Sequence, residues 1–483
     1  MRRAKIVVTL GPATSSSEQI RTLVDAGMDV ARLNLSHGNH EDHRKAYLAV
    51  REASDSSGRG VGILIDLQGP KIRLGSFTAG PVHLEPGADF IVTTEDVAGD
   101  ATIVSTTHVG LPDDVNPGDL VLVDDGRIEL RVTKVEGPRV HTTVVEGGLV
   151  SDHKGFNLPG VPVSVPAMSD KDVEDLRWGL RTGADLVALS FVRSADDVNA
   201  LHDIMDNEGI RVPVLAKIEK PQAVENLEEI VEAFDGIMVA RGDLGVELPI
   251  EQVPLVQKRA IQLCRQAGKP VIVATQMLDS MITASRPTRA EASDVANAVL
   301  DGTDALMLSG ETSVGHNPPL VVETMSRIIE HIEGEALDRL PPLEESRTGS
   351  TARALTHAAV SAALFVQATH LIAFTETGRS ARLIARWRCG IRLLAFTPNP
   401  RVRSQLALVW GVETFLVPQV RHTDDMVVQV DKALLDIGRA SDGERVVIVA
   451  GVPPGVPGTT NGMRVHKSGR AGGIGGHVAG IAE

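Results

Sequence analysis

VPVLAKIE (212–219) and GIMVARGDLG (236–245) are two apolar runs in which charge arrives only at the C-terminal end, at Lys217 and Glu219 in the first and Asp243 in the second. Unbroken apolar runs of this length, bounded by turn residues, are the pattern of buried parallel strands. If the two are neighbours in one sheet, an ammonium and two carboxylates meet at one mouth of it. Two carboxylates within reach of each other can hold a hard divalent cation such as Mg²⁺ through oxygen ligands. An ammonium beside that cation can neutralise charge developing on a phosphoryl group or an enolate.

The same pattern extends in both directions. KIVVTLGP (5–12), VARLNLS (30–36), VGILIDLQG (61–69), LVALSFV (186–192), PVIVATQML (270–278) and ALMLSGET (305–312) bring the runs to eight. Between them, segments such as Ser17 to Ala26, Val224 to Phe234, Ile250 to Ala267 and Ala290 to Leu300 have helical apolar spacing. Eightfold strand–helix alternation predicts an α/β fold, a closed (β/α)8 TIM barrel, whose active site is built from the C-terminal ends of the strands. Those ends carry Arg32, Asn34 and Ser36; Asp66; Lys217 and Glu219; Asp243; Thr275; and Ser309 with Glu311.

The alternation breaks once, after the third run. DLVLVDDGRIELRVTKV (119–135) and RVHTTVVEGG (139–148) are short alternating strands joined by Gly, Pro and Asp turns. They predict a small inserted β-barrel lid over the barrel mouth, and a lid that excludes water suits phosphoryl transfer. The Pro-rich, polar LPPLEESRTGST (340–351) is a linker candidate, and four further apolar runs beyond it, at 369–378, 391–399, 412–418 and 445–451, predict a C-terminal α/β domain. The expected division is barrel 1–70, lid 71–167, barrel 168–338 and regulatory domain 350–483, with a mobile Gly-rich tail from Ser468.

With 483 residues, 42% hydrophobic and 23% charged, the composition is that of a soluble globular protein of several domains. A formal charge of −15 with no basic block argues against nucleic acid or an anionic membrane as partner. Cys264 and Cys389 are the only cysteines, so no disulfide framework is expected and a reducing compartment is implied. Met1 to Ala4 lead into a strand without an apolar signal segment, and no uncharged run approaches the roughly 20 residues needed to span a bilayer. The expected location is cytoplasmic.

TLGPATSS, ARLNLSHG, DLQGPKIRLG, HKGFNLPG, AKIEK and MVARGDLGVELP resemble, in this order, segments of the pyruvate kinase family. So does the longer region from GKPVIVATQMLDSM to PTRAEASDVANAVLDGTDALMLSGET, within 268–312. The resemblance implies transfer of the phosphoryl group of phosphoenolpyruvate to ADP, giving pyruvate and ATP. It implies Glu219 and Asp243 as Mg²⁺ ligands, with Mn²⁺ an admissible substitute, and Lys217 as the stabiliser of the phosphoryl group in flight. Arg32 would grip the phosphate through the paired hydrogen bonds of a planar guanidinium. The backbone N–H groups of Gly242 and Asp243 would receive the substrate carboxylate, and Thr275 backed by Ser309 would pass a proton to the enolate carbon through water. Nucleotide contacts would come from Asn34, His37, Arg73 and Lys154, with a second Mg²⁺ arriving on the nucleotide.

Two features further on concern cations and effectors. Asn34, Ser36, Asp66 and the carbonyl of Leu67 match the K⁺ pocket of family members in which Thr-Lys-Gly-Pro-Glu follows the aspartate. Here Leu67-Gln68-Gly69-Pro70-Lys71 follows it, the potassium-independent pattern, so K⁺ is not expected to be required and the Lys71 ammonium would stand in its place. A K⁺ about 4 Å from that ammonium would cost roughly 4 kcal/mol at an effective dielectric near 20. The loop Thr375-Glu376-Thr377-Gly378-Arg379-Ser380 matches the family's effector-phosphate loop, and Glu376 would repel a dianion there, favouring a monophosphate over fructose 1,6-bisphosphate. The family also implies a homotetramer. A Mg²⁺-dependent aldolase or lyase of a pyruvate enolate, and a metabolite-sensing binding protein on the same scaffold, remain open readings at this point.

Overall fold

The structure is a computed structural model and describes residues 2–343, 349–420, 422–436, 438–439 and 441–469. All eight predicted runs form strands: Lys5–Thr9, Val30–Asn34, Gly62–Asp66, Leu186–Leu189, Val214–Ile218, Gly236–Ala240, Val271–Ala274 and Ala305–Leu308. They close into a parallel barrel in sequence order, the first strand pairing with both the second and the eighth. The two-residue strand period divides the side chains between layers. Val7, Val30, Leu64, Leu215, Met238 and Ile272 fill the barrel interior, whereas Ile6, Ile63, Ile65 and Val273 pack outward against the helices. Ala407 and Leu408, from the C-terminal domain, belong to the interior cluster.

Helix boundaries follow local chemistry. Ser17–Ala26 begins with a capping box in which Ser16 and Gln19 bond reciprocally, and it ends at Gly27. The segment expected to be one helix over 224–234 instead begins at Pro221 and breaks at Asn226, whose amide nitrogen donates to the Arg193 carbonyl at 2.9 Å. The bond reaches 33 residues back to the loop after the fourth strand and anchors the break from outside the helix.

The inserted domain is a six-stranded sheet curled into a half-barrel plus a two-stranded ribbon, in keeping with the small inserted β domain expected. Its turn at Asp124-Asp125-Gly126 has positive φ at all three residues, which the DDG sequence tolerates. The C-terminal domain has parallel strands His370–Phe374, Arg392–Thr397, Val412–Leu416 and Arg445–Gly451. A fifth, Thr460–Lys467, is antiparallel at the sheet edge and was not foreseen, because TNGMRVHK is polar and largely exposed. The tail beyond Gly469 and linker residues 344–348 lie outside the described residues. Among the described residues no helix is long and apolar enough to cross a membrane.

Candidate active site

Lys217, near the end of the fifth strand, reaches into a largely buried ring of partners. Its Nζ lies 2.9 Å from Glu219 Oε1, 3.3 Å from Asp66 Oδ1 and 2.8 Å from Ser190 Oγ. Burial alone would lower its pKa, but Asp66 and Glu219 outweigh that and hold it well above the ordinary lysine value. Asp66 also receives Arg32 Nε at 2.7 Å. Burial would push the Asp66 carboxyl up, and Lys217 with Arg32 hold it below the usual carboxylate range. Arg32 donates Nη1 to Thr9 Oγ1 at 3.0 Å, so both of its contacts orient the guanidinium.

Glu219 is 1% exposed, and its second oxygen accepts the Phe191 N–H at 2.7 Å. Phe191 has φ +56, a left-handed conformation rare for an aromatic residue, which turns that N–H toward the carboxylate. Burial raises the Glu219 carboxyl above its usual range; Lys217 opposes this and the negative charge of Asp243 adds to it. Asp243 stands in the first turn of the helix Arg241–Glu247, which begins where the sixth strand ends. A pair of carboxylates whose mutual repulsion perturbs one of them fits a divalent cation. Among the described residues no group of three or more His, Cys, Asp or Glu could hold a metal, so the remaining ligands would come from substrate and water.

Thr275 follows the seventh strand with φ +72, strained for a β-branched residue. Its hydroxyl donates to the Ala274 carbonyl at 2.6 Å and accepts the Gly242 N–H at 2.7 Å, while Arg241 Nη2 donates to the Thr275 carbonyl at 2.8 Å. Gly242 N–H is therefore engaged by Thr275. Ser309 ends the eighth strand, and its Oγ is buried with no hydrogen-bond partner among the described residues. Its N–H is held by Glu311 Oε2 at 2.7 Å.

The expected nucleotide residues fall into two groups. Arg73 and Lys154 lie together on the inserted domain, where Arg73 bridges to Gly155 and donates Nη1 to the His153 carbonyl at 3.0 Å. Lys154 is paired with Asp124 at 2.8 Å. Asn34 and His37 sit on the barrel, with Asn34 Oδ1 accepting the Ser36 N–H at 3.2 Å and His37 lining a cleft with Pro12 and Lys45. No hydrogen bond or ion pair among the described residues joins the two groups.

In the expected K⁺ pocket the Leu67 carbonyl accepts the Ser190 hydroxyl at 2.7 Å. Lys71 forms no ion pair with Asp66 among the described residues; it packs against Gly155 and lines a cavity shared with Lys220, Phe191 and Asp243. The positive charge beside Asp66 comes from Arg32 and Lys217. The loop 375–380 lines a cleft, but the Ser380 hydroxyl is tied to Thr460 Oγ1 at 2.6 Å.

Ser190, Phe191, Thr9 and Arg241 were not anticipated. Ser190 and Thr9 end the fourth-strand region and the first strand, so reading every strand end for polar residues would have found them. Asn157 on the inserted domain also went unmarked; its Nδ2 donates to Glu247 Oε1 at 2.8 Å, and Lys220 pairs with the same oxygen at 2.5 Å.

A barrel whose strand ends gather an arginine, a lysine and carboxylates beside an inserted domain suits a phosphotransferase. Residues 1–322 match the family description "Pyruvate kinase, barrel domain" and residues 353–466 match "Pyruvate kinase, alpha/beta domain". The chain belongs to the pyruvate kinase family. It is 58% identical to a pyruvate kinase of Mycobacterium intracellulare, over 97% of this chain and 99% of that one. It is 45% identical to that of Geobacillus stearothermophilus, over 96% and 80%. A crystal structure of a pyruvate kinase from Cryptosporidium parvum superimposes with a TM-score of 0.90 at 36% identity, covering 97% of this chain and 96% of that one.

Proposed function

We propose that Lys217, Arg32 and the Glu219–Asp243 pair form the centre at which the phosphoryl group of phosphoenolpyruvate passes to ADP. The chain is a phosphotransferase of the pyruvate kinase family, giving pyruvate and ATP. The observation that carries the residue assignment is the Lys217 ammonium, held between two buried carboxylates at the end of the fifth strand.

Arg32 binds the phosphate and Lys217 tracks the phosphoryl group as its bond to the enol oxygen breaks and a bond to an ADP oxygen forms. Glu219 and Asp243 would hold Mg²⁺ or Mn²⁺, which neutralises phosphate and carboxylate oxygens when bound. The substrate carboxylate would take the Gly242 and Asp243 N–H groups, displacing Thr275 from Gly242. The freed Thr275 hydroxyl and the unpartnered Ser309 hydroxyl then deliver a proton through water to the enolate carbon. Asn34, His37, Arg73 and Lys154 bind the nucleotide with its own Mg²⁺, and lid closure over the 71–167 insertion brings the two groups together. The Asn157–Glu247 contact supports a lid that docks on the barrel.

K⁺ is not required on this reading, since Lys71 adds positive charge on the Asp243 side of the site. The loop 375–380 takes a phosphorylated effector, a monophosphate in preference to fructose 1,6-bisphosphate. A cytoplasmic homotetramer divided as barrel, lid and C-terminal regulatory domain completes the proposal. A coupled assay tests it: ATP formation must depend on both phosphoenolpyruvate and ADP, whereas ADP-independent release of pyruvate would favour lyase chemistry.

A further inference from the structure

The turn that presents Thr275 is held from outside itself. Thr275 and Gln276 are consecutive residues with positive φ, +72 and +54, and neither is glycine. Such a conformation persists only where surrounding groups fix it. Here the fixing group is the guanidinium of Arg241, whose side chain is 14% exposed. Its Nη2 donates to the Thr275 carbonyl at 2.8 Å and its Nε to the Ala274 carbonyl at 3.4 Å. The carbonyls on both sides of the Thr275 Cα are thereby engaged. Nη2 also reaches Met277 Sδ at 2.8 Å, just beyond the turn.

The guanidinium is itself aimed from the far side. Nη1 pairs at 2.7 Å with Asp294, on the helix Arg289–Asp301, and donates to Gln257 Oε1 at 3.4 Å. A planar fork can meet backbone carbonyls on one edge and a carboxylate on another, which a lysine ammonium cannot copy. Arg241 is also the residue immediately before Gly242, whose N–H bonds the Thr275 hydroxyl. One side chain therefore ties the backbone that carries the hydroxyl to the backbone that carries its partner. Among the described residues no hydrogen bond joins Arg241 to Arg32, Lys217 or Glu219, so its contacts lie on the Thr275 side of the site.

We infer that Arg241, steered by Asp294, is a positioning residue for the proton-transfer step, holding the strained turn so that the Thr275 hydroxyl stays where the enolate carbon is protonated. The inference rests on the reading of Thr275 as the group that delivers that proton. Arg241 itself transfers no proton and keeps its charge throughout. Without it the turn relaxes, and a displacement of about 1 Å in a positioned group costs up to about a hundredfold in rate.

The test measures deuterium exchange from solvent into the methyl group of pyruvate, with Mg²⁺ and nucleotide saturating, in the full-length enzyme. Arg241→Met should slow exchange by about tenfold to a hundredfold, with phosphoenolpyruvate KM changed by less than about threefold. In a Thr275→Gly background the same substitution should change exchange by less than about twofold, because no hydroxyl is left to position. Asp294→Ala, which releases the other end of the fork from a partly exposed site, should slow exchange by about threefold or more, and Asp294→Asn should restore most of the rate by keeping an acceptor oxygen. An equal loss from Arg241→Met in both backgrounds would make Arg241 a general structural clamp and overturn the inference. Unchanged exchange in Arg241→Met or in Asp294→Ala, beside a defective Thr275→Gly, would overturn it and leave the role of Thr275 standing. A Thr275→Gly enzyme with wild-type exchange would overturn both.

Discussion

Gly242 donates its backbone N–H to the Thr275 hydroxyl across 2.7 Å, joining the ends of the sixth and seventh strands at the point where the substrate carboxylate is proposed to bind. The bond depends on Thr275 holding φ +72, which costs a β-branched residue about 1–3 kcal/mol. Thr275→Gly removes that strain together with the hydroxyl. The expected outcome is an unchanged or higher melting temperature and a loss of turnover of about a hundredfold, the scale of a positioned proton-transfer group. Thr275→Ser, which keeps the hydroxyl, should retain most activity. A glycine variant with full turnover would remove Thr275 from the proton path.

Acid sensitivity should track Glu219. Its carboxyl is raised by burial, and Asp243 raises it further, so falling pH protonates it sooner than an ordinary glutamate. The protonated form cannot hold the metal, and activity falls as pH drops through that raised value. Because metal and proton compete, more Mg²⁺ should move the acid limb of kcat/KM to lower pH. Asp243→Asn removes the neighbouring negative charge and should also move the limb lower, at reduced metal affinity. An acid limb unmoved by Mg²⁺ would assign it to another group.

The barrel was legible because each strand is buried on both faces and reads as a continuous apolar run, and because charge placed at the end of such a run has nowhere to go but the mouth. Lys217, Glu219 and Arg32 were legible for that reason. The polar edge strand Thr460–Lys467 carries no such signal. Phe191 was illegible because its part in the site is a backbone conformation, not a side-chain type. Lys71 was expected in place of K⁺ from the family pattern that follows Asp66, yet the chain turns at Gly69 (φ +75), and the side chain packs against Gly155 of the insertion.

Potassium independence is expected to survive that change of place. Nearly full activity is expected in potassium-free buffer balanced with tetramethylammonium, and Lys71→Glu should acquire a K⁺ requirement. Activation of the wild type by about tenfold or more, equivalent to about 1.4 kcal/mol, at constant ionic strength would contradict the proposal.

Effector choice should follow Glu376, which lines the loop cavity together with Arg379. A sugar bisphosphate brings two phosphate groups of about −1.5 to −2 each against that carboxylate, and a monophosphate brings one, so fructose 1,6-bisphosphate is expected to activate weakly or not at all, and a monophosphate such as AMP to activate more. Glu376→Ser should strengthen the bisphosphate response. Equal responses in both proteins would take the loop out of effector selection.

The central claim rests on Lys217, and Lys217→Met tests it most directly. The ammonium acts mainly while the phosphoryl group is between donor and acceptor, so its loss should appear in kcat more than in KM. Steady-state ATP formation from phosphoenolpyruvate and ADP should fall by about 2–3 orders of magnitude, the scale of lost electrostatic stabilisation of the transition state, with phosphoenolpyruvate KM changed by less than about tenfold. Proton exchange at the methyl carbon of pyruvate should persist, because Thr275 and Ser309 remain. A folded Lys217→Met enzyme with near-wild-type kcat for ATP formation would contradict the account.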